Sequence, residues 1–261
     1  MINHIAGILM QILDALYRLT GSYGLSIILL AVLIKIILYY PTHQQFKSMK
    51  DMQAIQPKLK EIQALYKDDP KTLQVKQQEI FVKYKINPLS GCLPLVIQMP
   101  ILWAIWRVIM SNKVIFEKAY FLWMRPEISN LSLFGHPLVL PVKEPLPIIA
   151  PNLAVMDIPL LLLYGFSMYL SQKLTVTDPT TAKAQSSMTL MMPVVFTIIM
   201  GMGKFPAAMI LYWLVFNIFS IIQQYFIMGQ TSPVQRMIEE ELKEIKEANK
   251  PSKKKGAKKG K

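Results

Sequence analysis

The chain has 261 residues, of which 52% are hydrophobic, and its mean hydropathy is +0.33. Its 29 lysine and arginine residues outnumber its 16 acidic residues, which gives a formal net charge of +13. The single cysteine, Cys92, excludes an internal disulfide and a cysteine-based zinc site. The sequence has no Gly-rich phosphate loop, G-x-S-x-G or H-E-x-x-H motif, so it predicts no enzyme, no cofactor and no metal.

Residues 1–20 predict an amphipathic helix that lies in the membrane interface on the outer side. A membrane span is the alternative, but it would bury both Asp14 and Arg18. A secretory signal is disfavoured, because Asp14 interrupts the apolar part and no basic region precedes it. One stripe of this helix is polar, and it consists of Asn3, His4, Gly7, Gln11, Asp14 and Arg18.

Five apolar runs have the length of membrane-spanning helices, and they predict an all-α polytopic membrane protein. The first span lies within 21–41, and the other four lie within 89–228. The third run is the least regular, because Pro159, Gly165 and several polar residues interrupt it. The runs cover residues 24–41, 91–112, 155–172, 187–203 and 207–228.

Lys35 stands inside the first span, where LSIILLAVLIKIILYY (25–40) has only Ser26 as a second polar residue. A basic side chain at the centre of a span costs about 2.5–3.5 kcal/mol and usually faces a cavity. One interpretation is that the amine reaches the cytoplasmic headgroups, about 9 Å away along the helix. The other is a water-filled groove, for which spans two, three and five offer Gln98, Gln172, Asn217, Ser220, Gln223 and Gln224. Arg107, near the outer end of span two, is expected to extend outward.

Residues 42–88 predict a helical hairpin in the cytoplasm, with apolar residues at steps of three and four from Phe46 to Leu65. Asp69 is a good N-cap, and Pro70 suits the first position of the second helix. Pro57 is expected to kink the first helix. Whether the hairpin docks a partner or is only a solvated charged surface stays open.

The loop 113–154 is predicted to lie outside, with Tyr120, Phe121 and Trp123 near the membrane interface. Its part 134–151 contains five prolines and little helical pattern. The short turn at 201–206 makes spans four and five a transmembrane hairpin.

The tail 229–261 is predicted to form a short charged helix followed by a disordered lysine-rich end. Clustered lysines can bind a polyanion such as ribosomal RNA or anionic lipid, or they can act purely as a topology signal. The candidate polyanion-binding residues are Lys253, Lys254, Lys255, Lys258 and Lys259.

The basic residues also predict the orientation. Twenty-one of them fall in 42–90, in the loop between spans three and four, and in the tail, whereas six fall in the other connections. Because basic residues mark the cytoplasmic side, the N-terminus is expected outside and the C-terminus in the cytoplasm.

Two segments, NPLSGCLPLVIQMPI (87–101) and MPVVFTIIMGMGKFPAAMILYWLVFNIFSIIQQYFI (192–227), follow a basic residue in the first span and a lysine-rich hairpin. In this order they resemble the YidC/Oxa membrane protein insertases from about residue 22 to 230. The outer segment AYFLWMRPEISNLS (119–132) resembles the same family.

The resemblance implies five spans around a hydrophilic groove that is open to the cytoplasm and to lipid. Lys35 matches the family's basic groove residue, Trp213 beside Tyr212 matches its substrate-contacting aromatic, and Gln172 matches a polar groove residue. The implied partners are nascent membrane proteins, the ribosome and membrane lipids, with the secretion translocon and signal-recognition components as further candidates.

The sequence departs from the family pattern at several points. Lysine replaces the usual arginine and loses its planar five-donor fork. Pro41 comes one residue late, Arg107 is atypical, and 134–151 is an insertion. A large extracytoplasmic domain and a lipoprotein-type signal are both absent, so the sequence suggests a short form in a bacterial plasma membrane.

The predicted function is insertion of nascent membrane protein segments through a groove lined by Lys35, Gln98, Gln172, Tyr212, Trp213 and Asn217. A transporter or channel subunit with an intramembrane anion site is the alternative, although no internal repeat supports it. A ribosome or RNA tether is a third possibility, and it would depend on 250–261 rather than on Lys35.

Overall fold

The computed structural model describes residues 2–87, 93–129, 132–133, 136–137, 139–140, 146–175 and 179–248. Within these residues the chain is helical, as predicted, apart from four two-residue strands in the outer loop. The helices are α1 (Ile2–Thr20), α2 (Tyr23–Ile37), α3 (Tyr39–Leu65), α4 (Pro70–Lys83), α5 (Leu93–Ser111), α6 (Lys113–Glu117), α7 (Pro126–Ser129), α8 (Ile158–Thr175), α9 (Pro179–Met202), α10 (Ala207–Met228) and α11 (Pro233–Ala248).

The short strands form two antiparallel pairs in the proline-rich part of the loop. Strand β1 (Ser132–Leu133) pairs with β2 (His136–Pro137), and β3 (Val139–Leu140) pairs with β4 (Leu146–Pro147). Proline lacks the N–H that a longer ladder would need, so pairs of this length suit the sequence.

The chain divides into two compact units, of which the first comprises Met1–Met49 and Leu89–Gly229. In this unit α10 packs against α2, α5 and α8, while α9 packs against α8. Helix α1 packs against α2 and α5 through Ala6, Leu9 and Leu13, and its predicted polar stripe is largely exposed. Its placement in the membrane interface stays a prediction.

The apolar core of the first unit surrounds the N-terminal half of α10. Ala207, Ala208 and Ile210 are fully buried, together with apolar side chains of α1, α2, α5 and α8. The first two backbone amides of α10 donate to the carbonyls of Val155 (2.9 Å) and Leu153 (3.0 Å) in the outer loop. These bonds satisfy donors that a helix N-terminus otherwise leaves unpaired, so the loop closes this end of the bundle.

The first predicted span ends earlier than expected. Helix α2 ends at Ile37, and α3 begins at Tyr39 after a bend of 66°. The predicted end is Pro41, but this proline lies in the first turn of α3. A proline is tolerated there, because the first helical N–H groups have no intrahelical partner.

Membrane spans can also be sought by length and hydropathy among the described residues. One stretch, Ala207–Ile245, is long and apolar enough to cross a bilayer, and an 18-residue window within it has a mean hydropathy of 1.5. Helices α2 and α3 are long and apolar enough to cross a bilayer only when they are counted together as one bent span. Val96–Ser111 and Met191–Met202 are shorter apolar helices. The count of five spans therefore stays a prediction.

The second unit comprises Lys50–Pro88 and Gln230–Lys261. Here the later part of α3 continues through Pro57, and α4 starts with the predicted Asp69 cap, whose Oδ1 accepts from the Thr72 amide at 3.2 Å. The two helices pack with α11 around a core that contains Ile55, Ile80 and Val234.

An ionic cluster supports the packing of α11 in the second unit. The Glu241 carboxylate accepts from Lys58 at 2.7 Å, from Lys83 at 2.9 Å and from the Tyr84 hydroxyl at 2.8 Å. Lys58 also donates to the Tyr84 hydroxyl. One carboxylate on α11 thus contacts both arms of the α3–α4 hairpin.

Asp157 is a fully buried carboxylate at the start of α8. Its Oδ1 accepts from the Leu160 amide at 2.8 Å and from the Trp123 indole at 3.1 Å, while its Oδ2 accepts from the Ala150 amide at 2.9 Å. The N-terminus of a helix favours a negative charge, and the three donors replace the lost water. Trp123 is thereby held to the protein by its polar edge.

We expect Asp157→Asn to lower the stability of the first unit by about 1–3 kcal/mol, because an amide NH₂ then faces an N–H donor. The measurement is the unfolding free energy of the detergent-solubilised protein. Asp68→Asn, at an exposed position in the second unit, is the matched control and should change it by less than about 0.5 kcal/mol. Equal effects of the two substitutions would contradict this role of Asp157.

Candidate functional site

The first unit contains a cavity of about 400 Å³ at the C-terminal half of α10. Its wall mixes apolar side chains with amides and hydroxyls from four helices, α3, α5, α8 and α10. It is lined by Leu38, Pro41, Thr42, Gln45, Phe46, Met49, Ile97, Gln98, Ser171, Gln172, Phe216, Asn217, Ser220 and Gln224.

Helices α8 and α10 are joined by polar side chains on one side of this cavity. Asn217 donates from Nδ2 to the Ser167 hydroxyl at 2.8 Å, and Ser167 donates in turn to the Tyr164 carbonyl at 2.7 Å. One turn farther along, Ser171 donates to Oε1 of Gln224 at 3.0 Å. These bonds fix polar groups in a wall that is otherwise apolar.

The first turn of α3 is held against α10 on the other side. The Thr42 hydroxyl lies 3.0 Å from Oε1 of Gln223, and Nε2 of Gln223 donates to the Tyr39 carbonyl at 3.1 Å. Thr42 and Gln223 are both buried. The residues just after the α2–α3 bend are thus fixed to α10 by paired polar groups.

Lys35 lies behind the cavity wall, with only 5% of its surface exposed. Its ammonium group donates to the Ser220 hydroxyl at 2.8 Å and lies 4.7 Å from the centre of the Phe216 ring. The Phe46 ring is farther away, at 5.9 Å. Within the described residues, no carboxylate forms an ion pair with this ammonium group.

Tyr212 and Trp213 occupy the α10 turn that precedes the cavity. Tyr212 is 1% exposed and accepts at its hydroxyl a hydrogen bond from Nε2 of Gln98 at 3.1 Å. Trp213 is half-buried and stacks on Tyr164 at 6.0 Å, with Phe196 and Phe205 also within 6 Å. Tyr212 therefore touches the cavity lining through Gln98, whereas the ring partners of Trp213 do not line the cavity, and neither aromatic residue belongs to the lining.

The predicted site residues thus do not all line the cavity. Gln98, Gln172 and Asn217 line it, and Lys35 and Tyr212 contact lining residues. Trp213 packs instead against aromatic residues that do not line the cavity. Arg107 is exposed on α5 and does not reach the cavity. Cys92 and the five lysines proposed to bind a polyanion, Lys253, Lys254, Lys255, Lys258 and Lys259, lie outside the described residues.

Sequence reasoning missed the contribution of α3 to the wall. Thr42, Gln45, Phe46 and Met49 all line the cavity, although they were assigned to the start of the hairpin. Their spacing of three and four residues is the available signal, because it places them on one helical face. Ser171 on α8 was missed too, and only its contact with Gln224 identifies it.

This set of side chains suits polar solvation rather than covalent or metal chemistry. In the part of the chain that the structure describes, no group of three or more His, Cys, Asp or Glu side chains could hold a metal ion. Amides and hydroxyls both donate and accept, so the cavity can solvate a polar peptide, and Lys35 adds one positive charge.

Comparisons with known proteins identify the family. The sequence profile of a family described as "60Kd inner membrane protein" matches residues 15–236, which is most of the chain. The chain belongs to this family. The match includes the helices that form the cavity and Lys35 itself, so the site lies inside the part that defines the family.

Curated relatives of this family member are named "Membrane protein insertase YidC". The protein of Pelobacter propionicus is 36% identical over 224 residues, which are 85% of this chain and 38% of that protein. The protein of Wolinella succinogenes is 37% identical over 222 residues, which are 84% of this chain and 36% of that protein. The chain therefore spans less than two fifths of the length of these relatives.

A solved structure supports the fold. The crystal structure titled "Active YidC insertase crystal structure with the first transmembrane domain resolved" superposes with a TM-score of 0.59. The superposition covers 86% of this chain and 46% of that chain, at 24% sequence identity. At this identity the likeness shows a shared fold.

We expect the Gln98–Tyr212 hydrogen bond to couple α5 to α10. A double-mutant cycle of Gln98→Leu and Tyr212→Phe should give a coupling free energy of about 0.6 kcal/mol, the average for such bonds in membranes. Unfolding in mixed micelles measures it. The matched control cycle pairs Gln98→Leu with Tyr225→Phe, because Tyr225 is an exposed tyrosine of α10. This control should give a coupling free energy of zero. A coupling of zero in the first cycle would contradict the bond.

Proposed function

We propose that this chain inserts nascent membrane protein segments from the cytoplasm into the lipid bilayer. The main support for the proposal is the cavity of about 400 Å³, which has polar side chains in its wall and lies at one end of an apolar helical bundle. The buried Lys35 ammonium group lies directly behind this wall. Family membership and relatives named as membrane protein insertases support the same activity.

The physical role of the cavity is to lower the cost of taking a polar flank into the membrane. Burial of an unpaired peptide group costs about 2–7 kcal/mol, so each amide or hydroxyl that pairs with the flank reduces the barrier. The apolar core around the first half of α10 blocks an open pore, so the flank is received from one side only.

Lys35 supplies a modest electrostatic contribution. At an effective dielectric constant near 20, two charges 4 Å apart attract by about 4 kcal/mol before desolvation is subtracted. Burial of a span of about 20 apolar residues releases more, at about 25 cal/mol per Å². Partition of the apolar segment into lipid therefore drives insertion, and Lys35 selects among flanks.

Insertion of this kind requires no enzymatic reaction, nucleotide or metal. The cavity opening and the C-terminus face the cytoplasm, as the basic residues predict. Nascent membrane proteins are the substrates. The ribosome, the secretion translocon and signal-recognition components are proposed partners, with the hairpin and the lysine-rich tail as their contacts.

A transporter with an anion site gains no support from the geometry. The Lys35 ammonium group is held by Ser220 and Phe216 and is almost fully covered, which does not point to an anion site, and the family match supports insertion instead. Conductance or uptake by the purified protein in liposomes would be the result that favours this alternative.

We expect Lys35→Ala and Lys35→Met to reduce insertion of a substrate with an acidic flank about tenfold, the equivalent of about 1.4 kcal/mol. The same substrate with a neutral flank should change little, since it lacks the charge that Lys35 attracts. Lys35→Arg should retain insertion, because it keeps the charge. The measurement is the yield of protease-protected substrate in proteoliposomes.

Arg107→Ala is the matched control, because it removes another basic residue from a predicted span without touching the cavity. It should leave both yields unchanged. If the Ala, Met and unmodified proteins inserted both substrates equally, the proposed role of Lys35 would be refuted.

A further inference from the structure

The ammonium group of Lys35 is separated from the cavity by its own three partners. Phe46, Phe216 and Ser220 all line the cavity, whereas Lys35 does not. A substrate carboxylate that enters the cavity therefore meets this wall before it meets the charge. Some part of the wall has to move before an ion pair can form.

Two of the three partners are fixed. Phe216 and Ser220 lie one turn apart on α10, and the Ser220 hydroxyl donates to the Phe216 carbonyl at 2.8 Å. The same helix packs against α2, α5 and α8. A movement of α10 would disturb the core of the first unit.

The third partner is placed differently. Phe46 belongs to α3, eight residues after the bend at Leu38, and Thr42 and the Tyr39 carbonyl hold the preceding turn to Gln223. Lys35 belongs to α2, on the other side of the bend. A change of the Phe46 side-chain rotamer can therefore move the ring while α3 keeps its bonds to α10 and Lys35 stays in place.

The distances also identify Phe46 as the partner that can leave. Attraction between a cation and an aromatic ring extends to about 6 Å, and Phe46 at 5.9 Å is at this limit. Phe216 at 4.7 Å and Ser220 at 2.8 Å keep the cation bound when Phe46 moves. Phe46 thus shields the Lys35 ammonium group from the cavity but contributes little to holding it. Phe46 itself is only 8% exposed.

We propose that Phe46 is the gate over Lys35 and that it sets the preference of the cavity for acidic segments. A carboxylate stabilises the open position through its ion pair with Lys35, whereas a neutral segment leaves the ring closed. This inference rests on the proposed function, because it specifies which flanks the same site selects.

The first test measures access to position 35 without any substrate. In a Cys92→Ser background, Lys35→Cys is reacted with a small charged thiol reagent in proteoliposomes. Phe46 is then replaced by Leu, Val and Ala. If the closed position dominates, the labelling rate should rise stepwise and reach at least about tenfold with Ala, since minor open states are populated at about 0.1–10%.

Ser220→Cys in the same backgrounds is the matched control, because Ser220 lines the cavity directly. Its labelling should be fast with Phe46 present and unchanged by the substitutions. A thiol at position 35 that reacts as fast as one at position 220 with Phe46 intact would overturn the gate. Equal acceleration at both positions would overturn it too, since it would indicate general loosening.

The second test measures selectivity in a chain that retains Lys35. Phe46→Ala and Phe46→Val should increase the ratio of insertion yield with an acidic flank to that with a neutral flank, because an acidic flank then pairs with Lys35 without first displacing the ring, whereas a neutral flank gains nothing. An unchanged ratio would overturn the proposal. If Lys35→Ala leaves the yields with both flanks unchanged while the labelling result holds, the role of the gate in selection is overturned but insertion stands. If the unmodified protein inserts neither substrate, the proposed function fails.

Discussion

The account of this structure depends on one buried positive charge, the ammonium group of Lys35. Within the described residues it forms no ion pair with a carboxylate. A lysine near the centre of a membrane span costs about 2.5–3.5 kcal/mol, and Lys35 lies in the first predicted span. A hydrogen bond from a charged donor returns about 1.5–3 kcal/mol, and a desolvated contact with an aromatic ring returns up to about 2 kcal/mol. Ser220 and Phe216 can therefore hold the ammonium group without neutralising it. Its positive charge is therefore retained behind the cavity wall.

The two halves of helix α10 have different surroundings in the first unit: an apolar core around the first half and a cavity with polar side chains beside the second half. Its first two turns lie in the apolar core, and the amides of Ala207 and Ala208 donate to carbonyls of the outer loop. From Phe216 onward the same helix presents polar side chains to α3 and α8. A hollow that is polar and closed at one end can shelter a hydrophilic flank without conducting ions, which is the property that insertion requires.

Sequence patterns predicted the helices, the Asp69 cap and the polar residues of α5, α8 and α10 around Lys35, because helical periodicity places such residues on one face. They could not predict the bend at Leu38, where no proline or glycine marks the break. They also could not separate Tyr212 and Trp213 from the cavity, since depth along α10 depends on packing against Tyr164 and Gln98. Partners distant in sequence, such as Trp123 and Asp157, required the fold.

The proposed function requires the polar flank of a substrate segment to enter the cavity between α3, α8 and α10. Disulfide mapping tests it most directly, with one cysteine in the flank of a ribosome-arrested substrate and single cysteines along α10 in a Cys92→Ser chain. The account predicts crosslinks at positions 217, 220 and 224, which line the cavity, and none at 218, 222 and 225, which are exposed on the opposite face. Crosslinks at the second set, or without helical periodicity, would contradict it.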